Sequence, residues 1–156
     1  MGRTRGMCEG GLGLEGAALI ALYVRLLVGF VLMAAACGFA YRRGDRTVRR
    51  AAVVLAACWT LSLAAQLITG HTVEPAIGAD IACGLFMLRL AWTDGRGWIW
   101  FIIGLESVLF VTHALLYRAQ QPPTGAQILF NNALVTLALI ALVWAARRYP
   151  RQAQAD

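Results

Sequence analysis

The chain has 156 residues, of which 60% are hydrophobic and 14% charged, and its mean hydropathy is +0.65. Soluble chains carry roughly 25% charged residues, so this composition excludes an ordinary soluble domain and makes the bilayer the expected solvent. The net charge of +6 comes from 14 arginines, without a single lysine, against 8 carboxylates; the arginines cluster at the ends of apolar runs, and no basic helix is interleaved with aromatics, which argues against nucleic acid as a partner.

Residues 1–16 read as a flexible N-terminal arm, because Gly10, Gly11, Gly13 and Gly16 oppose a stable early helix. Met7 is an alternative start that would remove only Arg3 and Arg5 among the charges. The first apolar run covers 17–40 and contains Arg25. With Arg3, Arg5 and Ala34-Ala35-Ala36-Cys37 it mimics a signal peptide, but it is longer than a signal core, and cleavage would leave the next segment, YRRGDRTVRR with its five arginines, outside the membrane. Further runs follow at 51–69, 75–92, 98–117 and 126–146. At about 1.5 Å of rise per residue each is roughly 27 to 36 Å long, enough to cross a core of about 30 Å. Only helices or closed barrels span a bilayer, and the period-2 alternation of a barrel is missing. The expected fold is therefore an all-α, polytopic bundle of five spans over residues 17–148, followed by a short basic tail at 149–156.

Five spans put the termini on opposite faces. Arg42, Arg43, Arg46, Arg49, Arg50, Arg96, Arg147, Arg148 and Arg151 then share one face, and Arg3, Arg5 and Arg118 the other. The positive-inside rule turns this bias into an N-terminus outside and a C-terminus in the cytoplasm of a bacterial inner membrane. Tyr41, Trp92, Trp98, Trp100, Trp144 and Tyr149 fall near the inner ends, as an interfacial aromatic belt requires.

No standard catalytic motif is present, so the chain reads as a non-enzyme without a cofactor. Cys8, Cys37, Cys58 and Cys83 have neither redox nor zinc spacing and read as small apolar residues. Small residues recur in the first three spans: Ala34, Ala35, Ala36 and Gly38; Ala56, Ala57, Ala64 and Ala65; Ala79, Ala82 and Gly84. Such faces let helices approach closely, within one bundle or in a homo-oligomer.

The remaining signal is a set of residues that are costly in hydrocarbon: Arg25, Gln66, Asp80, Glu106, His113, Asn131 and Asn132. Counted from the outer ends, Gln66, Asp80, His113 and Asn131 lie roughly 3 to 8 Å inside, Arg25 roughly 12 Å and Glu106 roughly 16 Å. Glu106 and His113 are seven residues apart and project from one helix face. Ser62, Gln66 and Thr69 form a stripe on the second span, while Arg89 points away from Asp80 and reads as a snorkelling anchor.

Three functions compete for this cluster. As interhelical fasteners, Asp80 pairs with Arg25 or His113 and the asparagines bond across helices, giving a structural or assembly protein. As an outward-opening chamber floored by Glu106, the same residues exchange protons between Asp80 or Glu106 and His113, giving a small proton- or ion-coupled transporter. As a metal or haem site, His71 and His113 join Glu74 or Asp80 at the outer face. The first is preferred. In size, basic cytoplasmic end and lack of motifs the chain is similar in layout to small multi-spanning proteins of phage and proteobacterial genomes, holin-like ones among them. That likeness implies a protein that acts by assembling in the membrane and assigns no role to any residue.

Overall fold

A computed structural model describes the backbone of residues 9–69, 73–120 and 124–151, with the side chains of residues 24, 27–68, 73–120 and 124–151. Five helices follow in order: α1 (Glu9–Arg43), α2 (Arg46–Thr69), α3 (Val73–Asp94), α4 (Gly97–Ala119) and α5 (Gly125–Arg148). Among the described residues α2, α3, α4 and α5 are each long and apolar enough to cross a membrane. The helices overrun the apolar runs by a few residues because the connections between them are so short. α1 starts at Glu9 and so takes in residues 9–16, which the glycine content had suggested as an arm. Residues 1–8 lie outside the described part.

The chain divides into two units, Met1–Ala34 and Ala35–Asp156. The first is helical from Glu9. The second contains the last turns of α1 and the four following helices. There α3 packs against α2 and α4, α4 against α5, and α5 closes back on α2. The buried seam of α4 runs Ile99, Ile102, Glu106, Leu109, Leu116, and that of α5 runs Leu134, Ala138, Leu142, Ala145. Steps of three, four and seven are the spacing that keeps one stripe of a helix facing its neighbours.

Packing is densest at the end that carries the arginines. Val48, Ala51 and Ala52 of α2, Leu90 and Ala91 of α3, Ile99 and Ile102 of α4 and Ala145 and Ala146 of α5 are all buried there. At the opposite end the buried apolar residues are fewer: Ala76, Leu116 and Leu134. The alanines that allow close approach are thus mostly not those of the three small-residue faces. Ala34, Ala35, Gly38, Ala57, Ala64 and Ala82 are exposed.

The dense end is held by a clamp of three chain segments. Asp45 caps α2, its Oδ1 accepting from the Val48 N–H at 3.0 Å. Its other oxygen receives Arg96 Nη1 at 2.6 Å, from the α3–α4 turn. The Arg96 guanidinium lies over the Tyr149 ring at 4.4 Å, just beyond α5. Backbone pairing completes it: Asp45 N–H donates to Tyr149 O at 3.0 Å and Arg151 N–H to Arg43 O at 2.7 Å, with Gly44 opposite Pro150. Pro150 is tolerated because in this pair the bonds come from its neighbours and need no N–H from the proline. Thr47 donates its hydroxyl to Asp94, linking α2 to the end of α3.

Candidate functional site

In the sparser half of the bundle three helices are joined by one line of side chains. His113 of α4 stands between Asp80 of α3, whose Oδ2 is 2.6 Å from Nδ1, and Asn131 of α5, whose Nδ2 is 3.1 Å from Nε2. An ionised carboxylate only accepts, so Nδ1 donates to Asp80; in the neutral tautomer Nε2 accepts from the Asn131 amide N–H. Both ring nitrogens are used. Side-chain exposures of 16% for His113 and 12% for Asp80 keep the pair largely out of contact with the surroundings. Asn131 Oδ1 is buried and accepts no hydrogen bond among the described residues.

Helical phase explains the arrangement. His113 falls in the α4 seam between Leu109 and Leu116, so the side chain that fills this interior position is polar. Asp80 stands one step from Ala76 and Cys83 on the inner stripe of α3. Asn131 precedes Leu134 on the inner face of α5, whereas Asn132, turned by about 100°, is exposed and takes no part.

Glu106 is the buried charged residue among those described, 7% exposed, two turns from His113 along the same seam. Cys83, on the inner stripe of α3, is buried as well. Cys37, Cys58 and Cys83 are free thiols. In the sequence these cysteines read as small apolar residues, and Cys37 and Cys83 are buried as such residues are.

The remaining candidates lie elsewhere. Gln66 donates to Ser62 Oγ at 3.2 Å within α2 and does not reach the line. The side chain of Arg25 and the whole of His71 lie outside the described residues, so an Asp80–Arg25 pair and a two-histidine site have no description here. Among the described residues no group of three His, Cys, Asp or Glu side chains is arranged to hold a metal ion. Arg89 is exposed on α3. Of the aromatic belt, Trp92, Trp100, Trp144 and Tyr41 are exposed, but Trp98 is buried in the dense end.

The clamp at the arginine end was not foreseen. Asp45 stands among five arginines with nothing local to mark it, and its partner Arg96 is 51 residues away, beyond the reach of any local pattern. Compared with protein families, characterised proteins and solved structures, the chain matches none of them.

Proposed function

We propose that this is a small non-enzymatic membrane protein that works as an assembled helical bundle, holin-like in layout, with the Asp80–His113–Asn131 line as the fastener of its outer half. The observation that carries the reading is the use of both imidazole nitrogens by partners on two other helices. A ring so occupied fixes the register of α3, α4 and α5 where apolar packing is thin. Five spans, an outer N-terminus and a cytoplasmic C-terminus in a bacterial inner membrane complete the proposal. They rest on the arginine bias and on the gathering of Asp45, Arg96 and Tyr149 at one end. Membrane assembly is tested by dye leakage from cells at high expression together with native mass measurement of the purified protein. Leakage with a defined oligomer supports the reading, and tight cells with a monomer end it.

A second reading has its own observation. Glu106 has no basic partner among the described residues, and a fastener has no need of it. A carboxyl group in hydrocarbon without a counter-ion marks a proton pathway more often than a structural joint. Proton flux into liposomes distinguishes the two. Transport predicts loss of flux in Glu106→Gln and His113→Ala with Arg89→Ala unaffected, while equal flux in all three returns the cluster to a fastening role.

A further inference from the structure

The clamp has a consequence for the charges around it. Arg151 is bonded through its backbone to Arg43, so the end of α1 and the residues beyond α5 are held side by side. Arg147, the penultimate residue of α5, lies over the Phe39 ring of α1 at 5.9 Å, which ties the same two segments a second time. Arg42, Arg43, Arg147, Arg148 and Arg151 are all exposed on this corner. None of the five is in an ion pair among the described residues. The nearby carboxylates are occupied, Asp45 by Arg96 and the Val48 N–H, Asp94 by Thr47. Among the described residues the patch thus carries five positive charges without internal compensation, on a frame of backbone hydrogen bonds that fixes two segments far apart in sequence.

We infer that this corner is a binding site for the headgroup of an anionic phospholipid, and for one with two phosphates in preference to one. Location selects a lipid over a free anion: Tyr41 and Trp144, both exposed, place the interfacial level of the membrane next to the arginines. Charge selects the number of phosphates, because a single phosphate leaves most of the patch unbalanced. Each guanidinium offers phosphate oxygens a bidentate fork, and here the arginines come from two segments held side by side. The inference stands whether the Asp80–His113–Asn131 line fastens or carries protons, and whichever way the chain is oriented.

The test uses the full chain in neutral detergent, titrated with phosphatidylcholine, phosphatidylglycerol, diphosphatidylglycerol or inorganic phosphate. Retained lipid is counted by native mass spectrometry, and affinity is read from the shift in unfolding temperature. The expected result is one saturable site for diphosphatidylglycerol, weaker binding of phosphatidylglycerol, and no response to phosphatidylcholine or inorganic phosphate. Arg43→Gln, Arg147→Gln and Arg151→Gln each weaken binding about five-fold, the worth of one surface arginine near an anionic headgroup. Arg50→Gln and Arg118→Gln, exposed but off the corner, leave it unchanged. Conservative Arg→Lys exchanges at the three corner positions guard against variants that fold poorly: they keep charge and insertion but lose the fork, and bind less tightly than the parent. Equal losses in Arg50→Gln overturn the inference in favour of a diffuse field; so does the absence of a saturable site, and competition by inorganic phosphate overturns the choice of a lipid.

Discussion

At His113 the chemistry of a single ring decides the role of its neighbours. With Asp80 accepting the Nδ1 proton and the ring neutral, Asn131 donates to Nε2, and its own carbonyl oxygen has no partner among the described residues. The two bonds are therefore unequal. Interhelical hydrogen bonds in membrane proteins average about 0.6 kcal/mol and reach about 1.7, because the unfolded helices find other partners in lipid. Asn131→Leu removes the weaker bond together with an unsatisfied buried oxygen and should change stability by less than about 1 kcal/mol. Asp80→Ala removes the acceptor of the ring proton and should cost about 1 to 2 kcal/mol. Unfolding in mixed micelles, read by circular dichroism, checks both, and the double variant with His113→Ala should show Asp80 coupled to His113 more strongly than Asn131 is. Loss of comparable size at all three positions would mean that the line acts otherwise than as these bonds imply. The cluster itself was legible in the sequence, since charged and amide residues stand out against apolar runs. Which of Asn131 and Asn132 faces inward was not, because α5 is apolar on nearly every side and its pattern sets no phase.

At the scale of the helix, ends are fixed by residues that hydropathy does not weigh. α3 stops at Gly95, which takes φ +62° and returns its N–H to Ala91 O at 2.8 Å. Other L-residues pay for that conformation, so Gly95→Ala should cost about 1 kcal/mol. Gly44 is demanded for a different reason. A Cβ there would sit 2.7 Å from the Ala40 carbonyl oxygen and against the Val48 side chain, in the segment paired with Pro150. Overpacking of this kind costs about 1 to 3 kcal/mol, so Gly44→Ala should be the more damaging of the two. α5 begins with a capping box in which Thr124 Oγ1 accepts from Gln127 N–H at 3.3 Å and Gln127 Oε1 from Thr124 N–H at 2.7 Å. Thr124→Ala should cost about 1 kcal/mol. Thermal melts of the three variants in one detergent rank them directly, and a Gly44→Ala protein as stable as the parent would refute the tight contact. Glycine at both turns and the Thr-x-x-Gln pattern are visible in the sequence. What is invisible there is how closely the junction of α1 and α2 folds, so that Ala40 and Val48, four residues to either side, leave no space for a Cβ at Gly44.

For the whole molecule, the same arginines serve orientation and packing, and the two roles can be separated. Orientation responds to the number of positive charges near the helix ends, whatever they touch. The exchange of Arg42, Arg43, Arg46, Arg49 and Arg50 for Gln leaves Arg96, Arg147, Arg148 and Arg151 on one side against Arg3, Arg5 and Arg118 on the other, four against three in place of nine against three. With the bias nearly gone, the population should divide between two orientations. Arg96→Gln, by contrast, removes one charge and leaves eight against three, so orientation should hold. Yet it takes away the 2.6 Å partner of Asp45 and the cation over Tyr149, and the purified protein should unfold more easily, by about 1 to 2 kcal/mol for a half-buried charge-assisted pair. A reporter fused after Asp156 and assayed on each side of the membrane, beside a melt of the same proteins, separates these effects. The parent and Arg96→Gln should report only from the cytoplasm and differ in stability; the five-glutamine chain should report from both sides. A parent reporter on the outer surface would reverse the proposed topology. A five-glutamine chain that stays in one orientation would show that the clamp of Asp45, Arg96 and Tyr149, formed before insertion is complete, sets direction in place of the charges.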